Sequence, residues 1–228
     1  MPLTTDDELE RSPIVANSLM NRERRLPSYD RELGIDVIEF LRARPNRPVR
    51  WLDLCCGTAN ALAEATALLG AGAEIVGVDL VDFFACPPSP PRLQLLTASV
   101  TTWHPDGRAF DLITCVHGLH YVGDKLGALA RIAGWLAEDG LFIANFDGRS
   151  IRLEDGTPAG RRLTTALRAQ GLLYDGRTRR ISRVGRGVVD LPYRYLGADD
   201  QAGPNYTGQA AVNSTTRERR KSDRAAAY

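Results

Sequence analysis

Two acids, Asp53 and Asp79, end short apolar runs on either side of a turn made of small residues, Cys55-Cys56-Gly57-Thr58-Ala59-Asn60. An acid placed about 20 residues after a glycine turn can accept both hydroxyls of a ribose, as it does in dinucleotide sites. Asp53 stands two residues before the turn, where it would repel a pyrophosphate but could hold the ammonium group of an amino-acid end, directly or through water. A second pair of reactive residues, His117 and His120, lies in Cys115-Val116-His117-Gly118-Leu119-His120-Tyr121. Histidine accepts a proton near neutral pH, so the pair could act as a base or serve as scaffold. Metal binding by the pair lacks an evident third ligand.

Elements that would position these residues follow from the pattern. Val49 to Leu54 reads as a strand and Ala61 onward as a helix, so the small residues form a strand-turn-helix corner whose first N–H groups point outward to a ligand. Glu74 to Asp79 reads as a second strand, Leu93 to Ala98 as a third, and Phe110 to His117 as a fourth, little alternating and so buried on both faces. Asp124 can cap a helix whose stripe is Leu126, Leu129, Ile132, Ala133 and Leu136; Asp139-Gly140 ends it before a fifth strand, Leu141 to Phe146. A helix from Thr157 to Gln170 then precedes a hairpin, Gly171–Asp175 and Thr178–Val184 about Asp175-Gly176-Arg177, and Val188 to Leu196 reads as a further strand. These last pieces would complete the sheet. Pro87, Pro88, Pro90 and Pro91 forbid a full helix between the second and third strands.

The string Asp53-Leu54-Cys55-Cys56-Gly57-Thr58-Ala59 resembles motif I of class I S-adenosylmethionine-dependent methyltransferases, usually Asp-x-Gly-x-Gly-Thr-Gly, with Cys55 and Ala59 replacing two glycines. Similar wording, Cys-Cys-Gly-Thr-Ala, is tolerated among menaquinone-type methyltransferases. Asp79 takes the place of the ribose-binding acid of motif II, Ser99-Val100 that of the loop flanking the adenine, Phe110-Asp111 that of motif IV, and the helix-Asp-Gly-strand passage that of the family's Leu-x-Pro-Gly-Gly. The resemblance runs from Val49 to Phe146, roughly four tenths of the chain. It implies an α/β fold: a doubly wound, Rossmann-like, seven-stranded, mostly parallel sheet with an antiparallel last strand, plus an N-terminal helical cap. Residues 1–44 would be the cap over the site, 45–212 the methyltransferase domain, and 213–228 a disordered basic tail.

The same resemblance implies S-adenosyl-L-methionine as cofactor, bound by Asp53, Cys55, Gly57, Thr58, Asp79, Leu80, Ser99, Val100 and His117. His117 and His120 would be catalytic. Tyr29, Tyr121, Asn145 and Tyr206 would line the substrate pocket, with Asp147 and Asn205 as further candidates. Arg22, Arg24 or Arg25 could pair with a ligand carboxylate or remain solvated. The implied reaction is methyl transfer to a small-molecule acceptor.

Composition bounds the alternatives. With 228 residues, 29 basic and 28 acidic side chains, the chain can bury one sizeable core and offers no electrostatic case for nucleic acid or a membrane surface. From Arg217 to Tyr228 stand five basic and two acidic residues, composition typical of a solvated extension. Four cysteines without metal-ligand or disulfide spacing point to a reduced, cytoplasmic setting. No apolar run reaches the ~20 residues of a membrane helix, and a monomer or homodimer acting on a small molecule is expected. Three rivals remain: a lyase or cyclase that consumes S-adenosylmethionine without passing on its methyl group, a non-catalytic nucleoside-binding protein, and a nicotinamide-dependent oxidoreductase, weakened because Cys55 and Asn60 stand where it needs glycines.

Overall fold

The computed structural model of the protein describes residues 3–16, 24–45 and 48–219. Its elements in chain order are α1 (Asp6–Glu10), α2 (Pro13–Ala16), α3 (Leu26–Leu33), α4 (Val37–Arg42), β1 (Val49–Leu54), α5 (Asn60–Leu69), β2 (Ala73–Asp79), β3 (Leu93–Thr97), β4 (Phe110–Cys115), α6 (Lys125–Trp135), β5 (Leu136–Asn145), β6 (Ile151–Leu153), α7 (Gly160–Ala169), β7 (Leu173–Asp175), β8 (Arg180–Val184), β9 (Tyr193–Asp199) and β10 (Asn213–Glu218).

Seven strands form one sheet in the order β3-β2-β1-β4-β5-β8-β7. β3, β2, β1, β4 and β5 pair in parallel, and β8 runs antiparallel to both neighbours. Side chains alternate across a strand, so neighbours divide between the two faces. Leu52, Val76 and Ile113 join the core under α6 and α7, while Trp51, Ile75 and Leu112 join the core under α3, α4 and α5. Helices on both faces explain why these strands read as continuous apolar runs. Strand order reverses between β1 and β4, and ligands of open α/β sheets collect outside the carboxyl ends at that point.

The seven-stranded sheet and its antiparallel strand agree with the sequence reading; several finer expectations are corrected. Val188–Leu196 does not join the main sheet. Pro192, which has no N–H for a ladder, precedes the actual strand, β9, and β9 belongs to a second sheet ordered β6-β10-β9. Residues 213–218, expected in the tail, are the central strand of that sheet, pairing in parallel with β6 and antiparallel with β9. Their polar character misleads because Ser214 and Thr216 are each only 1% exposed and bury their hydroxyls by bonding Gly123 O and, at 3.1 Å, Arg152 O. Residues 220–228 lie outside the described residues. The helix expected over Tyr29–Leu41 is two helices, broken where Gly34 turns left-handed at φ 71° and Asp36 caps α4 by accepting from Glu39 N at 2.8 Å. β5 begins at Leu136, directly after α6, with an irregular register against β4. Among the described residues no helix lies between β2 and β3, as the prolines require.

A buried cation fastens the second sheet to the start of α6. Lys125 is fully buried at the start of α6 and donates to Val122 O at 2.9 Å, Val212 O at 2.7 Å and Ser214 Oγ at 3.4 Å. Burial pulls its pKa down to about 7, against the pull of Asp147, Asp6 and Asp124. Lys125→Met should lower unfolding free energy by about 3 kcal/mol, because three buried acceptors lose their donor. Urea denaturation measures this; a change below ~1 kcal/mol would mean that water replaces the ammonium group.

Candidate cofactor cleft and acceptor-side cavity

The turn after β1 places three consecutive alternate residues in left-handed conformations: Cys55 at φ 56°, Gly57 at φ 59° and Ala59 at φ 61°. For cysteine and alanine these angles are uncommon and cost energy, so the surroundings must compensate. They do so with glycines elsewhere. A Cβ on Gly118 would lie 2.3 Å from Cys55 Cβ, and one on Gly77 would lie 2.9 Å from Cys56 Sγ; each side chain occupies space that a neighbouring glycine leaves open. The turn is then held from β2: Gly57 N donates to Asp79 Oδ2 at 2.8 Å, and Cys56 N donates to Val78 O at 3.2 Å.

Asp79 is 7% exposed and faces a cleft of about 720 Å³ including its mouth. Its other oxygen, Oδ1, accepts from Val81 N at 3.2 Å. Burial raises its pKa while the amides of Gly57, Val81 and Leu80 oppose the rise. The walls carry Cys55, Gly57 and Leu80 on one side and Ser99, Val100 and Tyr121 on another. Six of the residues expected to bind the cofactor, Cys55, Gly57, Asp79, Leu80, Ser99 and Val100, therefore meet at one cleft. A carboxylate between two backbone amides, beside apolar walls and a polar end at Ser99, fits a nucleoside with a vicinal diol.

Helices α1 and α2 close the cleft through Leu9, Glu10, Ile14 and Val15. Sequence reasoning missed these residues, although Thr5-Asp6-Asp7-Glu8 is a capping-box signature, and the structure forms that box at the start of α1. Glu10 Oε1 accepts from Ser99 Oγ and, at 3.1 Å, from Thr101 Oγ1. Thr4 pairs with Ala198 of β9 through two backbone bonds, and Tyr195 Oη donates to Asp6 Oδ1 at 2.7 Å. The second sheet thus carries the cover. Of the expected cap 1–44, α3 and α4 instead pack against α5, as Leu26, Leu33, Val37 and Leu41 with Ala61, Leu62 and Ala65.

Other expected site residues lie elsewhere. Asp53 is fully buried and does not line the cleft; its oxygens accept from Tyr29 Oη at 2.6 Å and Thr114 Oγ1 at 2.5 Å. Burial lifts its pKa to about 7, with those hydroxyls opposing. Tyr29, expected in the substrate pocket, is 3% exposed and stacks edge-on against Trp51. It supports β1 through Asp53. Thr58 stays out of the cleft, its carbonyl accepting from Ala85 N at 2.9 Å and its hydroxyl from Asn60 Nδ2 at 3.1 Å. Asn145 Oδ1 accepts from His117 N at 3.2 Å, which fixes the left-handed backbone of His117 at φ 58°. Arg24 Nη1 donates to Val116 O at 2.5 Å and Arg25 pairs with Glu64 at 3.2 Å; Arg22 lies outside the described residues.

His117, His120 and Tyr206 form a cluster outside the lining of the Asp79 cleft, with ring centroids 5.6 Å apart for the histidines and 5.4 Å between His120 and Tyr206. His117 Nε2 lies 3.1 Å from Glu32 Oε2, a partner that no spacing signal revealed. Burial and the Arg24 charge pull the His117 pKa down to about 4 against Glu32, and burial with His117 and Lys125 pulls His120 down to about 3. Both rings are neutral at neutral pH and are poor bases there. Among the described residues no three His, Cys, Asp or Glu side chains gather as a metal-holding group, and no helix is long and apolar enough to cross a membrane.

The strand order, the antiparallel β8 and the acid-clamped turn at the switch point define a Rossmann-like methyltransferase fold. The chain belongs to the methyltransferase domain family, which matches residues 21–174. Among solved structures, the CurJ carbon methyltransferase is similar at 12% identity over 75% of this chain and 58% of its own, with a TM-score of 0.50. The plantazolicin methyltransferase BpumL, in complex with a monoazolic desmethylPZN analog and SAH, is 15% identical over 57% of this chain and 51% of its own, at TM-score 0.46. A SAM-bound amino pentose methyltransferase from Micromonospora echinaspora, involved in calicheamicin biosynthesis, is 24% identical over 53% of this chain and 55% of its own, at TM-score 0.38. The chain spans about half the length of these last two proteins. At such identities the likeness concerns the fold. No curated protein matches the chain.

The histidines make a pH prediction. From their ordinary 6.5 down to about 4 and about 3, the unfolded chain binds protons that the folded chain does not, so their contribution to stability is lost as pH falls through that window. Asp53, raised to about 7 from 3.8, acts in the opposite sense, so the comparison is made within one background. The fall in melting temperature between neutral pH and pH near 4 should be smaller in His120→Gln than in the unsubstituted protein; an equal or larger fall would contradict the burial of a neutral ring.

Proposed function

We propose that the chain binds S-adenosyl-L-methionine in the Asp79 cleft and transfers its methyl group to a small-molecule acceptor, leaving S-adenosylhomocysteine. The observation that carries this reading is the Asp79 carboxylate, anchored on Gly57 N–H at the switch point of the sheet in a chain of the methyltransferase domain family. Asp79 would receive the ribose hydroxyls, and the Ser99-Val100 edge would flank the adenine. Leu9, Ile14 and Val15 would exclude water from above. The cofactor, when bound, supplies the electrophilic methyl group; the chain's own work is alignment and desolvation.

His117 and His120 then act by positioning. Their neutral rings and Tyr206 form a wall against the acceptor, while Tyr121, expected in the substrate pocket, lies in the cofactor cleft. The fully buried Asp53 is assigned to holding β1 and the turn. The four cysteines are free, and with near-balanced charge they support the reading of a cytoplasmic enzyme with a small-molecule partner, acting as monomer or homodimer.

Two outcomes are expected. Asp79→Ala should weaken S-adenosylhomocysteine binding by at least about tenfold in calorimetry, since a ribose contact and the Gly57 clamp go together; unchanged affinity would remove Asp79 from the site. Incubation of the protein with S-adenosylmethionine and a panel of small acceptors should yield S-adenosylhomocysteine. Methylthioadenosine in its place would mean cleavage or cyclisation of the cofactor, and binding without any product would mean a nucleoside-binding protein.

A further inference from the structure

A second cavity, about 740 Å³ including its mouth, opens beside the segment that follows β4. Tyr121, Val122 and Gly123 face the cofactor cleft, whereas His120 faces this cavity. The same short segment therefore borders both spaces. The cavity's other functional walls are Asp147 and Arg149 after β5, Arg152 on β6, and Asn205 and Tyr206 in the loop between β9 and β10.

Three of these side chains carry a shielded polar atom with no hydrogen-bond partner among the described residues: His120 Nε2, Arg152 Nε and Asn205 Nδ2. His120 as a whole is 2% exposed. A buried polar atom left unpaired costs about 1–3 kcal/mol, and native structures hold few of them, so three around one cavity need an explanation. Two can only donate. Arg152 Nε always bears hydrogen. Asn205 Oδ1 already accepts from Thr207 N at 2.8 Å and Thr207 Oγ1 at 2.6 Å, and because the first of these is an obligate donor, the amide cannot be flipped.

The charge balance points the same way. Asp147 is the single acid of the lining, and it is occupied by Arg179 at 2.6 Å, whose guanidinium also lies 5.5 Å from the Tyr206 ring centroid. Arg149 and Arg152 form no ion pair among the described residues. The cavity therefore offers two guanidinium groups without an ion-pair partner among the described residues and the N–H donors of the Asn205 amide, a set that matches acceptor-only oxygens.

We infer that this cavity receives an oxyanion, carboxylate or phosphate, carried by the methyl acceptor, with the Arg152 guanidinium and the Asn205 amide as donors and Arg149 supplying charge at the mouth. His120 and Tyr206 then form the wall on the side of the segment shared with the cofactor cleft. Only the word acceptor rests on the methyltransferase reading; the oxyanion site stands on the cavity alone.

The test is side-chain NMR of the full ¹⁵N-labelled chain, following Arg Nε–H and Asn Nδ2–H signals during titration with benzoate, inorganic phosphate, benzamide and chloride at constant ionic strength. Benzoate or phosphate should shift the Arg152 and Asn205 signals saturably, the tighter of the two identifying the oxyanion, while benzamide and chloride should not. Arg152→Gln should weaken that binding at least about tenfold and leave S-adenosylhomocysteine affinity unchanged; Asn205→Ala provides a second variant on a different element. No saturable shift with either oxyanion, equal binding of benzamide, or undiminished binding in both variants would overturn the inference. Oxyanion binding in a protein that fails to bind S-adenosylhomocysteine would remove the methyltransferase reading instead, and leave the anion site in place.

Discussion

A single hydrogen bond, from Gly57 N to Asp79 Oδ2 at 2.8 Å, joins the turn after β1 to the end of β2 and sets the shape of everything around the cleft. It requires the two strands in register, Asp53 beside Gly77 and Leu54 beside Val78. It also requires a turn tight enough to bring a backbone N–H to the neighbouring strand tip. Left-handed angles at Cys55, Gly57 and Ala59 provide that turn, and Gly77 and Gly118 provide room for the side chains that such a turn projects. The cysteine that replaces the first motif glycine, Cys55, is therefore accommodated in space by Gly118 after β4, and its neighbour Cys56 by Gly77 on β2. With one oxygen engaged by the turn and the other by Val81, the carboxylate keeps a fixed orientation toward the cleft, and preorganisation of this kind is what a binding site needs.

The polar core follows from the same constraint. A carboxyl at the end of β1 must be satisfied without reaching the ligand, and Tyr29 and Thr114 do so by donating to both oxygens of Asp53. Lys125, fully buried, likewise converts three stray acceptors into the bond that fixes β10 to the beginning of α6. Through β9 that sheet holds α1, and α1 holds Glu10 over Ser99 and Thr101. The cover of the Asp79 cleft and part of the wall of the second cavity thus hang from one small sheet built of β6, β10 and β9. Its loop, bearing Asn205 and Tyr206, walls the second cavity, which is separate from the Asp79 cleft.

Much of this was legible in the residues alone, for reasons that can be named. Apolar runs ending in Asp53 and Asp79 mark strands buried on both faces that stop at a polar edge, and the turn of small residues between them marks the switch point. The hairpin at Asp175-Gly176-Arg177 and the missing helix at Pro87 to Pro91 follow from turn and proline chemistry. The second sheet was not legible. β6 is short, β10 is rich in Ser and Thr, and their pairing joins residues 151–153 to 214–216, a long-range contact with no periodic signal. Nor does residue type or place in the sequence show which polar side chains are engaged inside the protein. Asp53, Tyr29 and Asn145 have Thr114, Asp53 and His117 N as partners, and such partners become visible only once the chain is folded.

The central claim is that the cleft clamped by Asp79 holds an adenosyl sulfur nucleoside. Isothermal titration of the unaltered protein with S-adenosylhomocysteine and with NADH, in one buffer, tests it most directly. The account predicts micromolar binding of the first and none of the second, because Asp79 with a single-glycine turn suits a nucleoside but leaves no room for a pyrophosphate. Failure of S-adenosylhomocysteine to bind, or preference for NADH, would contradict it.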